Sequence, residues 1–96
     1  MTTSEILHIL AQYKQENAKK YGIRNLGIFG SRSAGQATEE SDIDVVVETQ
    51  HPDLYTLVHI KEELEALFNK PVDLVRNRAA MNPFLKKRID RDAQYV

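Results

Sequence analysis

The chain has 96 residues, 42% of them hydrophobic, which suffices for one compact domain spanning 1–96 and excludes two independent cores. Its 13 basic and 14 acidic side chains leave a formal charge of -1, so no global field draws it to nucleic acid or to an anionic membrane. The absence of cysteine removes disulfides, thiolate zinc sites and cysteine nucleophiles from the chemistry available.

From Thr2 the sequence reads as a helix: Thr2 and Glu5 have capping-box spacing, Ile6, Ile9, Leu10 and Tyr13 recur at helical intervals, and Gly22 is a natural stop. This opening segment lacks the basic n-region and apolar run of a signal peptide, and no stretch reaches transmembrane length. A soluble, cytoplasmic protein is the expectation. Residues 23–29 are apolar and partly β-branched and run into Gly30-Ser31, a strand ending in a turn. A polar stretch containing Gly35 follows.

Residues 41–48 carry Ile43, Val45, Val46 and Val47, and such a valine run predicts a central, well-buried strand. Pro52-Asp53 opens a second helix, with Leu57, Ile60, Leu64, Leu67 and Phe68 as its apolar stripe up to Asn69, and Pro71 closes it. Residues 72–75 read as a third short strand. Asn82-Pro83 sets a cap before a first-turn proline, and Leu85, Ile89 and Ala93 give the last helix its buried face. The order helix, strand, strand, helix, strand, helix describes an α+β domain: a small mixed sheet with helices packed on it, whose tight connections put function at loops and strand ends.

Asp42 and Asp44 stand two apart on a predicted strand, and a period of two turns both carboxylates to one face, roughly 6–7 Å apart. Like charges held together raise a carboxylate's pKa unless a cation neutralises them, and a hard divalent ion, magnesium first, suits oxygen donors. Solvated strand ends also carry such pairs. Gly30 lets backbone approach a ligand closely, and the Ser31 hydroxyl with neighbouring N–H groups suits phosphate oxygens, although an ordinary turn has the same residues. Asp73, between Val72 and Leu74, is either an edge residue or the third member of a carboxylate cluster fit for two ions.

Together, the run Phe29-Gly30-Ser31-Arg32-Ser33-Ala34-Gly35 and the run Ser41-Asp42-Ile43-Asp44-Val45-Val46-Val47 resemble the signature of the polymerase-beta-like nucleotidyltransferase superfamily: G-S, ten residues, D-x-D. Over essentially its whole length the chain is similar to the minimal nucleotidyltransferases. The resemblance implies that fold, with Gly30 and Ser31 binding a triphosphate, Asp42 and Asp44 ligating metal, and Asp73 as third catalytic carboxylate. Arg32 lies beside the phosphate loop, either neutralising phosphate charge or simply exposed. Ala34 departs from the arginine many members carry just before the second glycine.

The activity implied by the resemblance is Mg²⁺-dependent transfer of AMP from ATP, with two ions, to a hydroxyl, typically a tyrosine's, of a HEPN-domain toxin, the chain acting as antitoxin. A non-catalytic antitoxin that occludes its toxin is the alternative, and a small-molecule nucleotidyltransferase would ordinarily bring a further substrate domain. His8, His51 and His59 lack ligand spacing and receive no role. Lys86, Lys87, Arg88 and Arg91 read as a solvated helix face, favourable to that helix's C-terminal dipole, rather than as a nucleic-acid site. The 4 tyrosines, Tyr95 among them, are assigned to helix-face packing.

Overall fold

A computed structural model describes residues 2–30, 42–51 and 53–96. Helix α1 spans Thr3–Tyr21 and is closed at both ends by the devices its sequence announces. The Thr2 hydroxyl accepts from Glu5 N at 3.1 Å while Glu5 Oε1 accepts from Thr2 N at 3.2 Å, satisfying two backbone donors that a helix start leaves open. Gly22 ends the helix at φ 65°, its N–H donating to the Ala18 carbonyl. Strand β1 (Ile23–Ile28) and strand β2 (Ile43–Thr49) pair antiparallel, with a register irregularity between Ile23 and Asn25.

Helix α2 (Leu54–Phe68) starts on Asp53, whose carboxylate accepts from Tyr55 N and Thr56 N, and ends on Asn69 in the left-handed region. It returns the chain to β3 (Val72–Arg76), which pairs parallel with β2. Helix α3 (Pro83–Asp92) is capped by Asn82, with Pro83 in its first turn as the sequence predicts. The sheet order is β3-β2-β1-β4, so the valine-rich β2 is internal and mixed in its pairing. No helix among the described residues is long and apolar enough to cross a membrane.

Side-chain alternation along β2 divides the core. Ile43, Val45 and Val47 face α1 and α2, where they meet Ile6, Leu10, Ile60, Leu64 and Phe68; Val46 faces α3, with Phe29 and Ile89. Full burial of each of these aliphatic side chains contributes roughly 1.5–3 kcal/mol relative to exposure. The sheet is therefore covered heavily on one face and thinly on the other, and the thin cover is α3.

Three expectations are corrected. Leu67 is 53% exposed, because it lies about 60° round the helix from Leu64, at the edge of the stripe of Ile60, Leu64 and Phe68 that meets the sheet. Ala93 does not continue α3: it is the cap, extended at φ -65° and ψ 135°, and leads into a strand β4 (Gln94–Tyr95) that pairs with β1 at Gly27 and Ile28. A Cβ at Gly27 would collide with the Gln94 carbonyl, so this glycine is what lets β4 lie so close. Of the tyrosines, Tyr13 packs as expected, but Tyr55 is 82% exposed and Tyr95 belongs to β4.

Tyr13 and Tyr21 of α1 both donate to the Glu63 carboxylate of α2, tying the two helices together. Burial, then the Glu63 charge, pushes the Tyr13 phenol above its usual range; for Tyr21 the hydrogen bond to Glu63 is the first cause of a rise. A phenol whose pKa is higher folded than unfolded contributes stability that is fully present below the unfolded value and lost as pH rises through the folded one. The urea midpoint should accordingly fall once pH passes about 10, and a Tyr13→Phe/Tyr21→Phe variant should show a shallower fall.

Candidate active site

The acids singled out in the sequence lie at one end of two adjacent strands. The parallel register of β2 and β3 sets Asp44 opposite Asp73, so the two side chains share a face on strands about 4.8 Å apart. It is the face of Val46 and α3, two residues further along β2. Asp42 immediately precedes β2 and is exposed, as is Asp73, whereas Asp44 is partly buried. Burial first, then the Asp73 charge, raises the Asp44 carboxyl above the ordinary range; Asp42 adds to the rise and Arg88 opposes it.

Gly30 closes the site from the β1 side. The strand hands over through Phe29, whose N–H donates to the Asp44 carbonyl at 3.1 Å, and Gly30 then turns the chain at φ 74°. A Cβ there would stand 2.5 Å from Asp44 Oδ2 and 3.6 Å from Arg88 Nη2. Only glycine fits, both for its left-handed backbone and because the carboxylate occupies the space a side chain would take. Ser31 and Arg32, the other two residues assigned to phosphate, lie outside the described residues.

Among the described residues no three His, Cys, Asp or Glu side chains stand together closely enough to hold a metal between them. The donor set is nonetheless one for a hard cation: oxygen only, with Asp44 destabilised by the charge of Asp73 and of Asp42. Magnesium commonly takes one or two carboxylates and completes its octahedron with water and phosphate oxygens, a demand that neighbouring Asp44 and Asp73 fit without a closed protein cage.

Sequence reasoning set aside a residue that the fold brings here. Within the basic cluster of α3, Lys86 bonds Asn77 and approaches Asp90, and Arg91 pairs with Asp92, as a solvated face would. Arg88 behaves differently: its guanidinium stands 6.0 Å from the centre of the Phe29 ring and beside the Gly30 backbone, near enough to act on Asp44. Its position follows from that of Ile89, the next residue, which is 1% exposed and anchors α3 against the sheet. The available signal was this adjacency of an arginine to the helix's most buried residue. His8, His51 and His59 are all exposed, away from the acids' face.

On the outer side of β3 a groove of about 520 Å³ runs past Leu74, Val75, Arg76, Met81 and Leu85 to Leu57 of α2. Leu74, one residue beyond Asp73, lines it, as do the exposed Leu54 and the polar Arg78 and Asn82.

The chain is similar to known proteins. The chain is 38% identical, over 99% of its length and 98% of the relative's, to a candidate protein adenylyltransferase of Methanocaldococcus jannaschii. It is 36% identical to the protein adenylyltransferase MntA of Thermococcus cleftensis, over 100% of this chain and 97% of that one. Among solved structures, a candidate minimal nucleotidyltransferase superposes with a TM-score of 0.77 at 28% identity, covering 98% of this chain and 95% of its own. The fold alone is shared, at TM-score 0.72 and 19% identity over 98% of this chain and 71% of the other, with a complex of an MNT antitoxin and a tri-AMPylated HEPN toxin of Shewanella oneidensis. The nucleotidyltransferase domain model matches residues 10–96, from the middle of α1 through β4 and across every acid described above, so the chain belongs to the nucleotidyltransferase domain family.

Proposed function

We propose that this protein, acting through residues 1–96 as one domain, transfers AMP from ATP to a hydroxyl, a tyrosine's, on a HEPN-type toxin, and so serves as its antitoxin. The observation that carries the reading is the pairing of Asp44 with Asp73 beside Gly30: two carboxylates on one face at a strand end, where glycine backbone makes room for the Asp44 carboxylate. The relatives named as protein adenylyltransferases support the reaction type, and the tri-AMPylated toxin bound to an antitoxin of the same fold supports the acceptor.

Asp44 and Asp73 are the metal-holding residues in this reading, joined by Asp42 on the strength of the sequence pattern, and bound Mg²⁺ would supply charge neutralisation and a lowered pKa for the attacking hydroxyl. Gly30 with Ser31 and Arg32 holds the triphosphate, the latter two on the strength of the sequence pattern. The acceptor oxygen forms a bond to the α-phosphorus, the bond from that phosphorus to the β-bridging oxygen breaks, and its electron pair leaves with pyrophosphate. In this reading Asp73, which is exposed, takes the hydroxyl proton. The groove past Leu74 and Leu85, which Arg76, Arg78 and Asn82 also line, is the surface this reading gives to a protein acceptor, and positioning of that kind is the main work left to a domain this small.

The test is intact mass of the HEPN partner after incubation with this protein, Mg²⁺ and ATP, next to an Asp42→Asn/Asp44→Asn variant. The expected result is one or more AMP additions that the variant cannot make. Partner binding with no added mass would replace the reading with the occluding antitoxin.

A further inference from the structure

We infer that Arg88 is a substrate-contacting residue of this site, its guanidinium taking phosphoryl oxygens of the nucleoside triphosphate. The inference rests on the nucleotidyl-transfer reading and adds to it a ligand from α3, an element outside the glycine-serine and aspartate motifs.

Three observations converge. Arg88 Nη2 and Asp44 Oδ2 both border the space over Gly30, at 3.6 Å and 2.5 Å from where a Cβ would stand, so the cation and the catalytic carboxylate face the same point. The guanidinium carbon lies 6.0 Å from the centre of the buried Phe29 ring, at the outer reach of a cation–π contact that favours this position while the side chain stays exposed. Three nearby cations have partners of their own: Lys86 with Asn77 and Asp90, Arg91 with Asp92, and Arg76 with the Thr49 hydroxyl.

The chemistry follows from that placement. Arg88 faces a carboxylate whose charge a divalent ion would neutralise, which turns the guanidinium's fixed charge toward whatever anion lies next to it. A polyphosphate entering above Gly30 is that anion. The guanidinium is permanently charged, and its planar fork matches two phosphoryl oxygens at once, which a lysine's point charge does not. As the bond from the α-phosphorus to the β-bridging oxygen breaks, negative charge gathers on departing pyrophosphate, and a preset cation stabilises it with no reorganisation.

The experiment is titration calorimetry with AMP-PNP and Mg²⁺ in the absence of any acceptor protein, so that the cleavable α–β bridge of the nucleotide is not turned over and binding alone is read, on wild type, Arg88→Ala, Arg88→Gln and Arg91→Ala. Arg88→Gln retains a long side chain against Phe29 and guards against a folding defect in Arg88→Ala, with thermal melts confirming that each variant is folded. Loss of a charge-assisted phosphate contact predicts affinity lowered roughly 10- to 100-fold in both Arg88 variants, and Arg91→Ala within about twofold of wild type. Folded Arg88 variants that bind AMP-PNP as wild type does would overturn the inference and leave the nucleotidyl-transfer reading standing. A wild type that binds no AMP-PNP would overturn both.

Discussion

Replacing Asp44 by asparagine should abolish AMP transfer, by at least about a thousandfold, while leaving the metal-free protein as stable as wild type or more so. The first half follows from the reaction: a thousandfold is about 4 kcal/mol of barrier, within what a metal-ligating carboxylate governs through the charge it places at the phosphoryl group. The second half follows from the geometry. In the absence of metal Asp44 is partly buried and faces Asp73, and both circumstances raise its carboxyl above the ordinary range. A group that holds its proton more tightly folded than unfolded loses stability for the fold as pH rises through its titration, so the ionised side chain is a burden at neutral pH and its isosteric amide is not. Thermal melts with and without Mg²⁺ separate the two roles: wild type should gain in midpoint on adding the ion, and Asp44→Asn should not. A variant that melts well below wild type without metal would contradict the account of the site as strained by its own charge.

Gly30→Ala is expected to have the second largest effect, and its control is built into the same molecule. Gly22 and Gly30 both adopt positive φ, 65° and 74°. At Gly22 an added Cβ would meet only Gln50, at 3.5 Å, an ordinary contact; at Gly30 it would press to 2.5 Å from Asp44 Oδ2. Each substitution carries the left-handed backbone penalty of about 1–2 kcal/mol, worth roughly 4–8 °C per kcal/mol in a domain of this size. Only Gly30→Ala also displaces a carboxylate from its place. A shift on the order of 1 Å in a positioning group can cost about a hundredfold in rate, so transfer should fall by that order in Gly30→Ala and hold near wild type in Gly22→Ala, although both melt lower. Equal losses of transfer in the two variants would reduce the role of Gly30 to stability.

Much of the fold was legible because its signals are local. The Thr2–Glu5 capping box, Asp53 and Asn82 as caps, Pro83 in a first turn and Gly22 at a helix end each depend on a few neighbouring residues. The valines of β2 announced an internal strand for the same reason. What escaped depends on contacts between distant segments. Strand β4 is two exposed residues with no apolar alternation, and it exists because Gly27 of β1 lets the chain close. Leu67 belongs to the right periodicity but lies beyond the reach of the sheet.

The candidate site divides in the same way. The spacing of Asp42 and Asp44 predicts a shared face from strand geometry, though Asp42 stands just before β2, whereas the partnership of Asp44 with Asp73 is a matter of register, and no pattern within residues 72–75 states it. Arg88 was hidden by its company. In sequence it is one of four cations in a short helix, and its distinction appears only once Ile89 docks that helix on the face opposite α1 and α2.

The parallel pairing of β2 with β3 also orders the events of folding. Strands β1 and β2 are antiparallel neighbours and β2 can add β3 only after α2 has carried the chain back to the start of the strand. Such long-range parallel contacts are late and slow, since the chain gives up its loop entropy before any ladder bond repays it. Asp44 and Asp73 thus become neighbours only when β3 joins β2, and a half-folded chain, newly made or thermally opened, holds its acids apart and has no assembled centre with which to act on a nucleotide.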